Sequence, residues 1–256
     1  MGKTVAIVNQ KGGVGKTTSA VNLAACLGYA GQKVLLVDID PQGNATSGLG
    51  YNKKSVQKST YDLIINGTDA QEILCETRFR NLDLLPANMS LAGAELELVM
   101  AENREARLKT GLAMLKAKYD FIFLDCPPAL GLLTLNALNC ADTLIVPIQC
   151  EYFALEGLSQ LMNTVRQIKR LYNPLLELEG VLLTMYDGRL NLTQQVVNEV
   201  KKFFPQKVFA SVIPRNVRLS EAPSYGEPVI YYDKGSNGSL AYLRLAQEFL
   251  KKNKKI

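Results

Sequence analysis

An α/β fold, with a mostly parallel, twisted sheet covered by helices on both faces, is what this 256-residue sequence predicts. Three observations carry that prediction. Unbroken apolar runs recur along the chain, among them Val5-Ala6-Ile7-Val8, Val34-Leu35-Leu36-Val37 and Phe121-Ile122-Phe123-Leu124, and strands buried on both faces read this way. Stretches of ten or more residues with helical spacing separate the runs, as crossover connections between parallel strands require. Two of the runs end in aspartate, Asp38 and Asp125, just before proline-containing turns. In an open parallel sheet that carboxyl end is where ligands bind.

Composition bounds the rest. Hydrophobic residues make up 47% of the chain and the mean hydropathy is +0.01, which fits a soluble globular protein long enough for one large core. No internal repeat, low-complexity tract or linker divides it, so residues 1–256 are expected to form a single domain. The first strand begins almost at once and no apolar run approaches the roughly 18–20 residues needed to cross a bilayer; neither a signal peptide nor a membrane span is expected. The five cysteines (Cys26, Cys75, Cys126, Cys140, Cys150) include no C-x-x-C pair, a pattern of reduced cytosolic thiols rather than a metal site. The chain contains no histidine. That excludes imidazole ligands and histidine general bases.

In chain order, a strand at 5–8 leads through a glycine-rich loop into a helix carrying Val21, Leu23, Ala24, Ala25 and Leu27. A second buried strand spans 33–38, and Pro41 and Gly43 then stop it and fix a turn. Residues 46–81 are polar and turn-rich around a short helix at 59–65. A strand at 81–86, placed toward the sheet edge, precedes a long helical pattern over 91–118 through Leu96, Val99, Leu108, Leu112 and Leu115. Next come a strand at 120–125, the rigid Pro127-Pro128 pair, a helix through Leu132, Leu135 and Leu138, and a strand at 142–147. A helix at 154–171, a strand at 180–184, a helix at 193–204, a strand at 208–213 and a closing helix at 239–252 complete the chain.

The loop after the first strand contains Lys11-Gly12-Gly13-Val14-Gly15-Lys16-Thr17-Thr18. Glycines let consecutive N–H groups turn inward, and the helix start adds its positive dipole end, so strand, loop and helix together make a phosphate cradle. Lys16 is placed to neutralise β/γ-phosphate oxygens and the Thr17 hydroxyl to hold Mg²⁺. The general G-x-x-x-x-G-K-[ST] pattern asks for glycine where Gln10 stands, and a second lysine, Lys11, occupies the loop entrance. The expected architecture is a P-loop NTPase fold binding a nucleoside triphosphate. Around it stand Asp38, Asp40 and Asp125. Mg²⁺ needs carboxylates directly or through water: Asp125 is the natural choice at the end of its strand, with Asp38 a second. Asp40, just beyond the second strand, is the better candidate to orient the attacking water.

With these residues in view the resemblance becomes specific. K-G-G-V-G-K-T-T, V-D-I-D-P-Q-G-N-A-T-S-G-L-G, F-I-F-L-D-C-P-P-A-L-G, V-P-I-Q-C-E-Y-F-A-L-E-G-L and I-P-R-N-V-R-L-S-E-A-P-S-Y-G-E-P-V together resemble the ParA/Soj branch of the deviant Walker A ATPases, in the MinD/ParA superfamily. The likeness covers almost the whole chain. It implies an ATP- and Mg²⁺-dependent ATPase in which Lys11 is the signature lysine, reaching across a sandwich dimer to the partner's phosphates. It also implies that Lys16 and Thr17 serve as P-loop lysine and magnesium ligand, that Asp40 positions water, and that Asp125 is the Walker B aspartate of the second switch. Pro214 and Asn216 match positions near the adenine.

Charge suggests the partner. Residues 1–165 carry 14 Lys/Arg against 16 Asp/Glu, whereas residues 166–256 carry 15 against 8. A basic face of this kind suits nucleic acid or an anionic surface, and ordinary solubilising lysines would give the same count. The resemblance implies that the ATP-bound homodimer binds double-stranded DNA without sequence preference, through Arg189 and Arg218 with Lys201, Lys202 and Lys207 as neighbours. It further implies that a ParB-like protein stimulates hydrolysis and that the protein is cytoplasmic and nucleoid-associated. With the first strand beginning at Thr4, no N-terminal helix-turn-helix extension of the kind carried by longer plasmid relatives is expected. Two alternatives remain open: a MinD-like membrane-associated positioning ATPase, and a nucleotide-dependent scaffold for protein cargo. Against the first, the closing helix places Leu240, Leu243, Ala246 and Leu250 on one face, as expected of a helix docked on the sheet, and the lysine-rich residues 251–256 are too few and too polar to insert. A metabolic enzyme on the same fold would need a substrate pocket or cluster cysteines, and neither is visible.

Overall fold

In the computed structural model, which describes residues 2–151 and 154–253, the apolar runs become one seven-stranded sheet. The strands are β1 (Lys3–Ile7), β2 (Val34–Asp38), β3 (Cys75–Glu76), β4 (Leu82–Leu85), β5 (Phe121–Asp125), β6 (Thr143–Gln149) and β7 (Glu177–Thr184), in the order β3-β4-β2-β5-β1-β6-β7. Every pairing is parallel except that of β3 with β4. The two-residue β3 takes the edge, so the 81–86 strand lies one place further in than expected.

Alternation along β1 sorts the helices into two layers. Val5 and Ile7 face a core shared with α1 (Lys16–Tyr29) and α11 (Asn237–Asn253), joined by α2 (Asn44–Gly48), α9 (Val217–Glu221) and α10 (Val229–Tyr232). Ala6 and Val8 face the other core, with α3 (Ala70–Ile73), α4 (Leu91–Glu97), α5 (Arg107–Leu112), α6 (Leu132–Cys140), α7 (Ala154–Leu171) and α8 (Asn191–Phe203). All five cysteines are free thiols. Among the described residues no helix is long and apolar enough to cross a membrane. Tyr152 and Phe153 of the Q-C-E-Y-F motif, and residues 254–256 of the lysine-rich end, lie outside the described residues.

Three expected elements differ, two of them because a distant side chain takes the backbone. The 91–118 helix is broken: α4 runs into a 3₁₀ turn at Leu98–Met100, and helix resumes only at α5. Between them Asn103 takes a left-handed conformation (φ 50°). Asn136 and Asn139 of α6 donate to the carbonyls of Arg104 and Glu105, both at 2.7 Å, and hold this turn. Leu96 and Val99 accordingly point outward, 78% and 50% exposed. The 208–213 strand is reduced to an isolated bridge of Val208 to Val181 of β7, because the amides of Ala210 and Ser211 donate to the Glu248 carboxylate of α11, both at 2.8 Å. The helix at 59–65 is a single π-turn, Asp62–Asn66.

The fold's tightness gives a sign-reversed test. Gly28 sits in α1, where alanine ordinarily adds up to about 1 kcal/mol. Here a Cβ would lie 2.4 Å from the Arg80 carbonyl. Gly28→Ala should therefore lower the unfolding free energy by about 1–3 kcal/mol, read as a fall in denaturant midpoint; a rise would refute the packing argument.

Candidate active site

Register fixes the site before any side chain is considered. Asp125 of β5 pairs with Ile7 of β1 on one side and with Asp38 of β2 on the other. The glycine-rich loop leaving β1 and both aspartates therefore share the carboxyl edge of the sheet.

The loop is held from below. Asn9 donates to the Pro147 carbonyl (2.8 Å) and accepts the Lys11 amide (3.0 Å). The Thr184 hydroxyl, at the end of β7, lies 2.8 Å from the Val14 carbonyl and 3.0 Å from that of Ile148. Gly13 and Gly15 adopt φ of 74° and 84°, a left-handed geometry open to glycine. Gly12 and Gly13 are exposed and nothing would meet a Cβ on either, so their backbone faces open space. Lys16 is buried and its ammonium donates to the Lys11 carbonyl at 3.0 Å, tying the two ends of the loop. Burial lowers the Lys16 pKa, opposed by Asp125, Cys126 and Asp40.

The three aspartates differ in what their oxygens already do. Asp38 is buried and used by its own loop: Oδ2 accepts the amide and hydroxyl of Thr46 (2.8 and 2.7 Å) and Oδ1 accepts the Asp40 amide (3.1 Å). Burial pushes its pKa up to about 6 against those hydrogen bonds. Asp40 accepts the Gln42 amide on Oδ1 (2.9 Å), closing the turn. Asp125 is fully buried, and among the described residues neither carboxylate oxygen has a hydrogen-bond partner. Burial first, then the Asp38 carboxylate, push its pKa well above the usual range, with Thr17 and Lys16 pulling the other way. An unpartnered carboxylate beside a threonine hydroxyl is a hard-oxygen donor set, and it fits Mg²⁺. Asp38 has less to offer a cation than Asp125.

Lys11 does not join the cradle. Its side chain is 42% exposed and its ammonium is ion-paired with Glu151 at the surface. Pro214 and Asn216 do come to the loop: with Gly15, Thr18, Thr184 and Tyr242 they line a cavity of about 150 Å³. Roomier hollows lie elsewhere, one of about 700 Å³ at the opposite end of the strands beside Lys3 and Asp120, without a phosphate-binding loop. The five basic residues are not one cluster. Arg189 and Arg218 stand at the loop end of the sheet; Arg189 forks onto Asp187 (2.9 and 2.6 Å), and Arg218 bonds to Glu221 (2.8 Å) and Asp233 (3.2 Å). Lys201 and Lys202 lie in the last turn of α8, roughly 15 Å along the helix axis from its start. Lys207 follows that helix.

Asn9, Thr46, Glu151 and Thr184 are site residues that sequence reasoning missed. Only Thr46 had a local signal, as a hydroxyl in the first turn after an aspartate-rich loop.

A family model described as an AAA domain matches residues 2–178. The sporulation initiation inhibitor protein Soj of Bacillus subtilis is 59% identical over 97% of this chain and 98% of its own. The chromosome partitioning protein ParA of Myxococcus xanthus is 53% identical over 99% of this chain and 89% of its own. A crystal structure described as cobyrinic acid a,c-diamide synthase from Mycobacterium smegmatis, with bound ATP analogue and magnesium, matches with a TM-score of 0.89 at 37% identity, covering 100% of this chain and 96% of that one.

The buried carboxylates set a pH dependence. Folding raises both pKa values, so the unfolded chain releases these protons first and stability falls as pH rises from about 4, through Asp38's value near 6 and beyond for Asp125. Asp125→Asn removes the larger part of that loss. Without nucleotide or Mg²⁺ it should exceed the parent by about 1–3 kcal/mol at pH 7.5 and by less at pH 5. Thermal melts at the two pH values check this, and an equal or lower melting temperature at pH 7.5 would contradict it.

Proposed function

The chain belongs to the ParA/Soj family of P-loop ATPases, and from that premise we propose that it is an ATP-driven switch that dimerises on nucleotide and binds DNA until hydrolysis releases it. The family relationship supports a role in chromosome partitioning. One observation carries the finer reading. Lys16 fills the cradle, while the loop's second lysine, Lys11, stands at the surface, a surplus cation that one chain's phosphates do not require.

In this reading the residues divide the work as follows. The amides of Gly12, Gly13, Val14 and Gly15 and of the start of α1 cradle the phosphates, with Thr18 beside them. Lys16 neutralises β/γ-phosphate oxygens. Thr17 would hold Mg²⁺, with Asp125 and more weakly Asp38 acting through water; the ion would supply charge neutralisation on the transferring phosphoryl group. Asp40, fixed in its turn by Gln42, orients the water. Lys11 exchanges Glu151 for a phosphate of the second copy, a charge-assisted contact available only with two chains and nucleotide together. Pro214 and Asn216 receive the base. A ParB-like partner accelerates hydrolysis.

DNA is held by its phosphates, through Arg189 and Arg218 at the loop end, with Lys201, Lys202 and Lys207 extending the contact along α8. Binding of this kind is steeply salt-dependent and blind to sequence.

Asp40→Ala with ATP and Mg²⁺ should give a persistent dimer in light scattering and hydrolyse ATP at least tenfold more slowly. Lys16→Ala should remain monomeric. Wild-type turnover by Asp40→Ala would move the water-positioning role elsewhere, and a monomer at saturating ATP would end the dimer reading. On random-sequence DNA, a mobility-shift series should show retention with ATP but not ADP, lost in the Arg218→Glu variant and weakening as salt rises. Retention that ignores nucleotide would count against the switch.

A further inference from the structure

Glu95 has no part in the roles assigned so far, yet it reaches from α4 to the segment that follows Asp125. Its carboxylate accepts the Leu132 amide on Oε2 (2.8 Å) and the Leu133 amide on Oε1 (3.1 Å). These are the first two residues of α6, whose preceding residue, Gly131, supplies no side-chain cap. A Cβ on Gly131 would lie 2.5 and 2.6 Å from the two Glu95 oxygens, so a glycine is what lets the carboxylate in. The base of the clamp is rigid. Leu91, Ala94 and Leu98 of the same helical stretch are buried in the core.

We infer that Glu95 is a positioning residue for the hydrolytic site, fixing the far end of the 126–131 segment so that the backbone after Asp125 stays against the phosphate-binding loop. The near end is tied by the Cys126 amide, which donates to the Ile7 carbonyl at 3.3 Å. Only six residues separate Asp125 from α6, and Pro127 and Pro128 stiffen them. A short segment pinned at both ends has few conformations. Released at the α6 end, it gains freedom at the residues nearest the reacting phosphate. Outward from Glu95 the same helix presents Leu96, and the turn after it Met100, 89% exposed, so α4 joins the surface to this clamp.

The inference rests on the ATPase reading, and the experiment separates the two. Hydrogen exchange on the full, nucleotide-free chain should show the Leu132 and Leu133 amides at least tenfold less protected in Glu95→Ala, with Glu95→Gln, which keeps a single acceptor oxygen, between it and the parent. Steady-state ATP hydrolysis should fall at least fivefold in kcat for Glu95→Ala with KM for ATP within twofold, and Glu95→Gln should recover part of the loss. If Glu95→Ala does not fold, Glu95→Gln is read alone and must lose kcat at unchanged KM. Unchanged exchange, unchanged kcat, or a joint loss of kcat, KM and melting temperature that Glu95→Gln does not relieve would each overturn the role of Glu95. No turnover by the unsubstituted chain would instead overturn the ATPase reading.

Discussion

A fully buried carboxylate with no hydrogen-bond partner is among the least favourable groups a fold can keep, and the Asp125 side chain is one. Lys16, whose charge acts on it, is also buried and is itself pushed toward neutrality by desolvation, so each group offsets part of the other's burial cost and neither is fully satisfied. The sheet register imposes this arrangement. Ile7, Asp125 and Asp38 are paired across three adjacent strands, and a slip of one residue in β5 would turn the carboxylate onto the opposite face. The surrounding chain then serves to keep a cation-accepting set open: Thr46 occupies Asp38, Asn9 and Thr184 support the loop, and Asp125 is left unpaired.

What the sequence made legible and what it hid divide along one physical line. The buried strands and the phosphate loop are local patterns, contiguous apolar runs and a glycine-lysine-threonine string, and the structure has them. Hidden were the contacts in which a side chain takes a backbone group from far away. Thr184 reaches Val14 across 170 residues and Asn9 reaches Pro147 across 138, so no window of sequence contains either pair. The same cause broke the 91–118 helix and the 208–213 strand. Apolar spacing at 96, 99, 108, 112 and 115 satisfies a helical template, yet Asn136 and Asn139 capture the carbonyls in its middle. Glu248 takes the amides that a ladder along 208–213 needed.

Charge was the least legible feature, because a count has no geometry. The basic excess after residue 165 includes Arg189 and Arg218, each already facing acids on the same surface. Asp187 is held down to about 2 by its arginine, so its carboxylate stays charged beside the guanidinium across the ordinary pH range. Asp187, Glu221 and Asp233 are themselves among the acids counted after residue 165, so the net excess resides mostly in basic residues other than these two arginines. A phosphate row meeting these arginines would share them with carboxylates rather than find bare cations.

The same loop and carboxylates could serve many phosphate chemistries, since a fold does not dictate a function. What narrows the choice is a group the single chain does not use, and Lys11 is that group. Its partner Glu151 is about as exposed as it is, 44% against 42%, and a surface ion pair of this kind contributes only about 0–1 kcal/mol. A lysine fixed in a buried pair would resist removal, since breaking such a pair costs about 3–5 kcal/mol. At the surface, the exchange of Glu151 for a polyphosphate oxygen is nearly free before any new contact is counted. The Lys11–Glu151 pair is thus weak enough not to oppose the transfer to a second chain that we propose.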